Sequence, residues 1–469
     1  MLSQKPCQSF KGRKFISALF ALAFAPLAFI PQHAAAEPAV TAKNMAAYQA
    51  ADEDHRIHIL LKLVGAGYVN AADQMLHQFP MQGPLAQNRT LYVEGLIAKN
   101  RGHLTEAAAK FRAALANDPH LTLVRVELTK VLADLDENDS AKHHLKLLES
   151  ETQDPQQLAG IRSFMERLDS KHPITFSGFV SVAPSTNINQ GSSHSTVYSP
   201  GLDGVNGVNP VGTIPAASQK MTGLGVVGGV NLGYNHRLGD HWQAVLAAGL
   251  SASYYPTFSS TSVSASQSAE LRYLIKDGYL GFGGIASESA DPVHLALGYT
   301  GYGPRISMAK LLTARDQLTA SATYEWRNFI NGPSQSGTAF AVNAVLTHAL
   351  DSTSNVAFLV GYENVAQQLD YNSYQDVSFG LGAYQEFSHG ITAQTQTTLR
   401  LAGFNAINAA QNATRQDQNL TASINLTKRD WNLLGFAPSL NYTYTRNFSN
   451  FALFDYDSHN VDFRLTKNF

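Results

Sequence analysis

The way this chain ends constrains its fold more than any other feature. In residues 459–469, Val461, Phe463 and Leu465 alternate with Asp462, Arg464 and Thr466, and the last residue is Phe469. A period of two over such a length means a strand with one face in an apolar medium and the other in water. Similar segments recur upstream. In 391–403, Thr392, Gln394, Gln396, Thr398 and Arg400 form one row, and Ile391, Ala393, Leu399 and Leu401 form the other. In 318–327, Leu318, Ala320, Ala322, Tyr324 and Trp326 are expected to point outward, with Thr319, Ser321, Thr323, Glu325 and Arg327 inward. Repeated alternation with aromatic residues at strand ends is the pattern of a transmembrane β-barrel, and the terminal Phe469 is the expected assembly signal.

The opposite end reads as a secretory leader. Lys5, Lys11, Arg13 and Lys14 precede an apolar run over 15–30, and Ala34-Ala35-Ala36 follows just before Glu37, so residues 1–36 are expected to be cleaved. The single cysteine, Cys7, falls inside that leader. A mature chain without thiols excludes disulfides, thiolate catalysis and cysteine metal sites, and suits passage through an oxidising periplasm.

The net charge of −2 leaves no nucleic-acid footprint, but the distribution of charge divides the chain. Residues 37–172 carry 33 charged side chains in 136 positions, whereas 173–469 carry 33 in 297. The change falls at His172-Pro173. The expectation is a soluble helical domain over 37–172, in the periplasm, and a barrel over 173–469 in the cell outer membrane, in contact with its lipid.

Within the first domain, Leu91, Gly95, Ala98, Ala107, Phe111, Ala114 and Pro119 match a tetratricopeptide repeat. That repeat needs small residues where two helices cross, a bulky residue between them and a proline beyond the second helix. Gly102 falls at the turn, and Ala72, Ala107 and Ala141 keep phase at intervals of 35 and 34. A last helix is expected over 155–171. The concave face of such repeats can grip an extended polypeptide, and the candidate contacts are Arg89, Tyr92, Lys99, Asn100, Lys130 and Asp134. A small helical bundle without a ligand is the alternative.

In the barrel, short turns at 238–241, 288–292, 313–316, 351–354, 387–390 and 428–431 are expected on the periplasmic side. Fourteen strands follow, because a barrel with both flanks in the periplasm crosses an even number of times. Residues 266–287 leave twelve or sixteen open, since 275–278 reads either as a hairpin turn or as part of an outside loop. The longest connection, 190–220, is rich in Ser, Gly, Asn, Val and Pro. Glu325, Arg327, Gln394, Gln396 and Arg400 are the candidate lumen residues.

Other motifs lead nowhere. Gly223, Gly225 and Gly228 match a dinucleotide loop, but no helix follows, so they read as strand glycines. His55, His58, His143 and His144 read as solvated helix-surface residues, and no metal or cofactor is expected. Ser185, His194 and Ser195 lack the elbow and the acid of a hydrolase, and no enzyme activity is expected.

The segment Phe176-Ser-Gly178-Phe-Val-Ser-Val-Ala-Pro184-Ser-Thr186-Asn187-Ile-Asn189, opening the first strand directly after helical repeats, resembles the start of the barrel in the surface lipoprotein assembly modifier family. The resemblance implies tetratricopeptide-like helices followed by an antiparallel outer-membrane barrel of about fourteen strands. It also implies delivery of a client, either a surface lipoprotein or a secreted haem- or metal-scavenging protein. Periplasmic chaperones and the barrel-assembly machinery are the other expected partners. Two further classes stay open: a polysaccharide exporter built from repeats and a barrel, and a passive pore or structural barrel.

Overall fold

The computed structural model describes residues 41–467 apart from 153, 172, 206, 259, 291–297, 314, 331, 352, 430 and 432–435. The expected leader and Phe469 lie outside the described residues. The chain divides into two compact units, one of helices and one of strands.

The helical unit contains α1 (Ala42–Ala50), α2 (Glu53–Gly65), α3 (Val69–Gln78), α4 (Ala86–Asn100), α5 (Leu104–Asn117), α6 (Thr122–Asp134), α7 (Asn138–Glu151) and α8 (Pro155–Lys171). Helices α2 to α7 form three helix–turn–helix copies joined by the same turn. Gly67, Gly102 and Asp136 take φ of 82°, 79° and 61°. Immediately after them the Tyr68, His103 and Glu137 amides donate to the Leu63, Ala98 and Leu132 carbonyls at 2.9, 2.9 and 2.8 Å. This left-handed stop satisfies the open carbonyls of the first helix and reverses the chain in two residues. Glycine meets the backbone requirement in two copies, and aspartate tolerates it in the third.

Packing follows the same phase. Ala72, Ala107 and Ala141 are fully buried, as are Phe111, Leu145 and Leu148. A Cβ built on Gly95 would lie 2.4 Å from the Phe111 ring, so the close crossing of α4 and α5 depends on that glycine. Tyr48, Leu60, Ala72, Met75, Leu76, Val93 and Ile97 form a core that joins the first copies.

The second unit is a closed barrel of fourteen antiparallel strands. They are β1 (Ile174–Ser185), β4 (Gly223–Arg237), β5 (Trp242–Tyr255), β6 (Ser260–Ile275), β7 (Gly278–Ala290), β8 (Tyr299–Leu311), β9 (Asp316–Phe329), β10 (Gly337–Ala349), β11 (Ser354–Gln367), β12 (Tyr374–Glu386), β13 (Ile391–Asn408), β14 (Ala413–Lys428), β15 (Phe436–Ser449) and β16 (Tyr456–Lys467). The remaining two, β2 (Thr196–Tyr198) and β3 (Val211–Thr213), form a small hairpin between β1 and β4. Closure leaves the barrel wall without a free edge strand, which an apolar medium demands. Gly223, Gly225 and Gly228 all lie in β4, as strand glycines.

The strand count agrees with the sequence, but one turn does not. Residues 288–292 were expected as a short turn at the end where β1 begins. Instead Glu288 pairs with Thr300 inside β7 and β8, and Ala290 lies at the opposite end. The turn at the near end is Lys276-Asp277, with Asp277 at φ 64° and Gly278 beginning the next strand. An Asp-Gly pair closing a tight hairpin is the stronger local signal, and it fixes the reading that 266–287 had left open. At the far end the strands are taller than expected: β13 and β14 leave only 409–412 between them.

Candidate functional site

In the helical unit, the sequence-derived residues fall into a cluster and a remainder. Lys99 Nζ of α4 donates to Glu127 Oε2 at 2.6 Å, and Lys130 Nζ of α6 donates to Glu127 Oε1 at 2.8 Å. Tyr92, half-buried about two turns before Lys99, packs its ring 6.1 Å from that of Phe111. Burial pushes the Tyr92 hydroxyl pKa up, with the nearby Glu127 charge adding to it. Burial alone would raise the Glu127 carboxyl, but Lys99 and Lys130 outweigh it and hold the pKa below the usual value. Tyr92, Lys99 and Lys130 are therefore organised around one carboxylate that sequence reasoning had not picked out. Arg89 stands apart, paired with Asp54 of α2 at 2.5 Å. Asn100 and Asp134 are exposed at the C-terminal ends of α4 and α6.

The histidine expectation is corrected in part. His144 is buried, not solvated, with Nδ1 3.2 Å from Nη1 of the fully buried Arg125. The expectation rested on the charged character of the helical half, but one face of α7, with Leu145 and Leu148, packs into the core and takes His144 with it. His55 is exposed, and its Nδ1 lies 2.8 Å from Asp52, which also caps α2.

In the barrel, register and burial identify the inward face. Tyr324 and Trp326 are 37% and 42% exposed on the outside, whereas Glu325 between them is 5% exposed. Inward carboxylates and arginines then pair around the wall. Arg327 Nε donates to Glu325 at 2.6 Å, and its Nη2 lies 3.5 Å from Glu363. Arg400 donates to Asp376 at 2.9 and 2.7 Å through Nε and Nη2, and its guanidinium lies 5.0 Å from the centre of the Tyr374 ring. Glu270 takes Arg272 at 2.8 Å and Arg305 at 3.2 Å. Asp417 pairs with Arg415 at 2.5 Å, Glu386 with Arg429 at 3.0 Å, and Asp462 with Arg464 at 2.8 Å.

Each of these cations is an arginine, whose planar fork can hold a carboxylate and still stack on a ring. Room for the pairs is built into the wall: a Cβ on Gly301 would sit 2.4 Å from Glu325 Oε1. Gln394 and Gln396 share the inward row of β13 with Arg400 and are open to the lumen. The charges of the lumen wall are thus compensated locally, beside inward apolar residues such as Val345 and Leu359. The pairs beyond Glu325, Arg327 and Arg400 were missed, although Glu270-x-Arg272, Arg415-x-Asp417 and Asp462-x-Arg464 carry a readable signal, since residues two apart share a face.

The motif that opens the barrel also has a structural role. Asn187 Nδ2 donates to the Gly191 and Asp457 carbonyls at 2.9 and 3.0 Å, and its Oδ1 accepts the Gly191 amide at 2.9 Å. Asn189 Nδ2 donates to the Ala217 and Gln219 carbonyls at 2.9 and 2.8 Å. The Asn189 amide staples the long connection 186–222 to itself, and the Asn187 amide ties it both to itself and to β16. That connection is docked further by Lys220 to Asp457 at 2.5 Å and by the Gly201 amide to the Ala410 carbonyl at 3.0 Å.

The sequence profile of the surface lipoprotein assembly modifiers matches residues 175–469, which is the whole strand unit from the start of β1. The chain belongs to the surface lipoprotein assembly modifier family. Two curated relatives resemble more than the barrel. The hemophilin secretion modulator of Acinetobacter baumannii is 23% identical over 412 residues, covering 81% of this chain and 79% of the relative. The surface lipoprotein assembly modifier of Pasteurella multocida is 20% identical over 402 residues, covering 81% and 76%. Among solved structures, the TodX monoaromatic hydrocarbon channel overlaps 64% of this assembly modifier and 92% of its own chain, with a TM-score of 0.34 and 11% identity. Membership and the closed barrel place the protein in the outer membrane.

Proposed function

We propose that this assembly modifier is a translocator that carries a client protein across the outer membrane, with its helical unit in the periplasm. Family membership over the whole barrel is the observation that carries the reading. The helical unit would hold the client through the patch around Tyr92, Lys99, Glu127 and Lys130, with Arg89, Asn100 and Asp134 at its margins. A held client has a high effective concentration at the barrel. A lumen whose carboxylates are matched by arginines attracts a passing polypeptide of neither sign strongly, so the chain moves without a deep trap. Folding of the client outside supplies direction. Periplasmic chaperones would deliver the client, and the barrel-assembly machinery would insert the translocator itself, reading Phe469.

The client is a surface lipoprotein or a secreted protein. Deleting the gene and comparing shaved-surface and released proteins by quantitative mass spectrometry tests the reading. One or two proteins should leave the surface or medium and accumulate in the periplasm. An unchanged protein inventory with an altered surface polysaccharide would sink it in favour of an exporter.

A further inference from the structure

The strand junctions of the barrel are not equivalent. On its β4 side, every residue of β1 from Ile174 to Ser185 has a cross-strand partner. On its β16 side the ladder runs from Gly178 to Val182, lapses at Ala183 and Pro184, and touches again at Ser185 opposite Asn460. The β10–β11 ladder is paired without a break from Gly337 to Ala349, and β8–β9, which also lapses at Gly303 and Pro304, is still paired from Tyr299 to Tyr302 and from Arg305 to Leu311. The lapse has a cause in the sequence, because Pro184 has no N–H to donate to a ladder.

Side chains close what the backbone leaves short. On the lumen side, Ser181 Oγ donates to Asp462 at 3.4 Å and the Arg464 guanidinium lies 4.4 Å from the Phe179 ring centre. At the far end, the Thr186 amide donates to the His459 carbonyl at 3.0 Å, and Thr186 Oγ1 accepts the His459 amide at 2.9 Å. Such bonds can be broken and remade without exposing a long run of backbone.

The two faces of this junction differ sharply. Inside are the Asp462–Arg464 pair and the polar wall. Outside are Val180, Val182, Phe463 and Leu465, at 53%, 49%, 60% and 52% exposure. We infer that the β1–β16 junction is a lateral exit, through which the acyl anchor of a lipidated client passes from the lumen into the bilayer. The inference rests on the translocator reading. An acyl chain cannot rest beside the arginine and carboxylate pairs of the lumen, and the shortest path to an apolar medium is through the wall at the junction with the fewest cross-strand pairs among the described residues.

The test is a reversible lock. With Cys7→Ser, the chain has no other thiol. Two double variants, Val182→Cys with Phe463→Cys and Ser181→Cys with Arg464→Cys, place cysteines at facing positions of the junction. They sample both faces, in case one pair disturbs folding. Leu346→Cys with Phe358→Cys places the same lock across β10–β11 as a control. The client is the protein lost from the surface on gene deletion, expressed behind a lipoprotein leader.

Oxidation of either junction pair is expected to cut surface delivery of the acylated client at least tenfold, with restoration by reductant and no effect of the control lock. Normal delivery through the oxidised junction would overturn the inference alone. An unchanged surface inventory on gene deletion would overturn both it and the translocator reading.

Discussion

At the scale of single residues, the helical unit depends on a few sites where no other side chain fits. Gly95 is one of them. Its missing Cβ is the space that the buried Phe111 ring occupies. Gly95→Leu should destabilise the helical unit by about 1–3 kcal/mol through overpacking. Thermal circular dichroism at 222 nm would read this as an earlier helical transition, and an unchanged transition would refute the packing account. This site was legible in advance, because glycine at a helix crossing and phenylalanine sixteen residues later form a spaced pattern.

Glu127 was not legible, since its role arises from two lysines on different helices. Its pKa lies below the ordinary 4.5, so its ion pairs stabilise the fold fully above that value. The contribution is lost as pH falls through the lowered folded pKa. Glu127→Gln should therefore lower stability at pH 7 by about 1–3 kcal/mol and flatten part of the acid limb of a stability profile. A variant with the parental acid limb would mean that other carboxylates set it.

At the scale of elements, sequence patterns served well where one physical demand dominated. Strand alternation identified the inward rows of β9 and β13 because one face meets lipid and a slip by one residue would turn every side chain over. The helix end at Lys171 followed from the same kind of periodic reading. The turn at 288–292 was misread because polar composition alone says nothing about which end of a strand it occupies. The long connection 186–222 was visible only as composition, since its order comes from Asn187 and Asn189, whose amides bond to backbone up to 270 positions away in sequence. Asn187→Ala and Asn189→Ala should each free this connection at the far end of the barrel, leaving buried backbone groups unsatisfied at a cost of about 1–3 kcal/mol. Surface protease treatment of intact cells should then cut within 190–220 several-fold faster, while heat-modifiable migration of the barrel on gels stays parental. Equal cleavage rates would show that the docking contacts of Lys220 and Gly201 suffice without the asparagine staples.

At the scale of the whole molecule, two units of different physics share one chain. The helical unit is held by burial of small and aliphatic side chains across repeated turns, so each copy leans on its neighbours and its stability is that of a short array. The barrel is held by a closed ladder in an apolar medium, where breaking backbone hydrogen bonds has no compensation from water. Heating the purified protein in detergent should therefore give two transitions, with the helical signal lost first and the strand signal surviving to higher temperature. The division also predicts a functional split. Removing residues 41–171 while keeping residues 1–40 should leave a barrel that inserts and shows heat-modifiable migration, because the strand register involves no residue before 174. On the proposed reading, in which the helical patch holds the client, delivery should nonetheless fall at least tenfold. The surface proteome of a deletion strain carrying this shortened chain reads both outcomes at once. Full delivery by the barrel alone would assign the helical unit a role other than holding the client, and loss of the barrel itself would show that the two units fold as one.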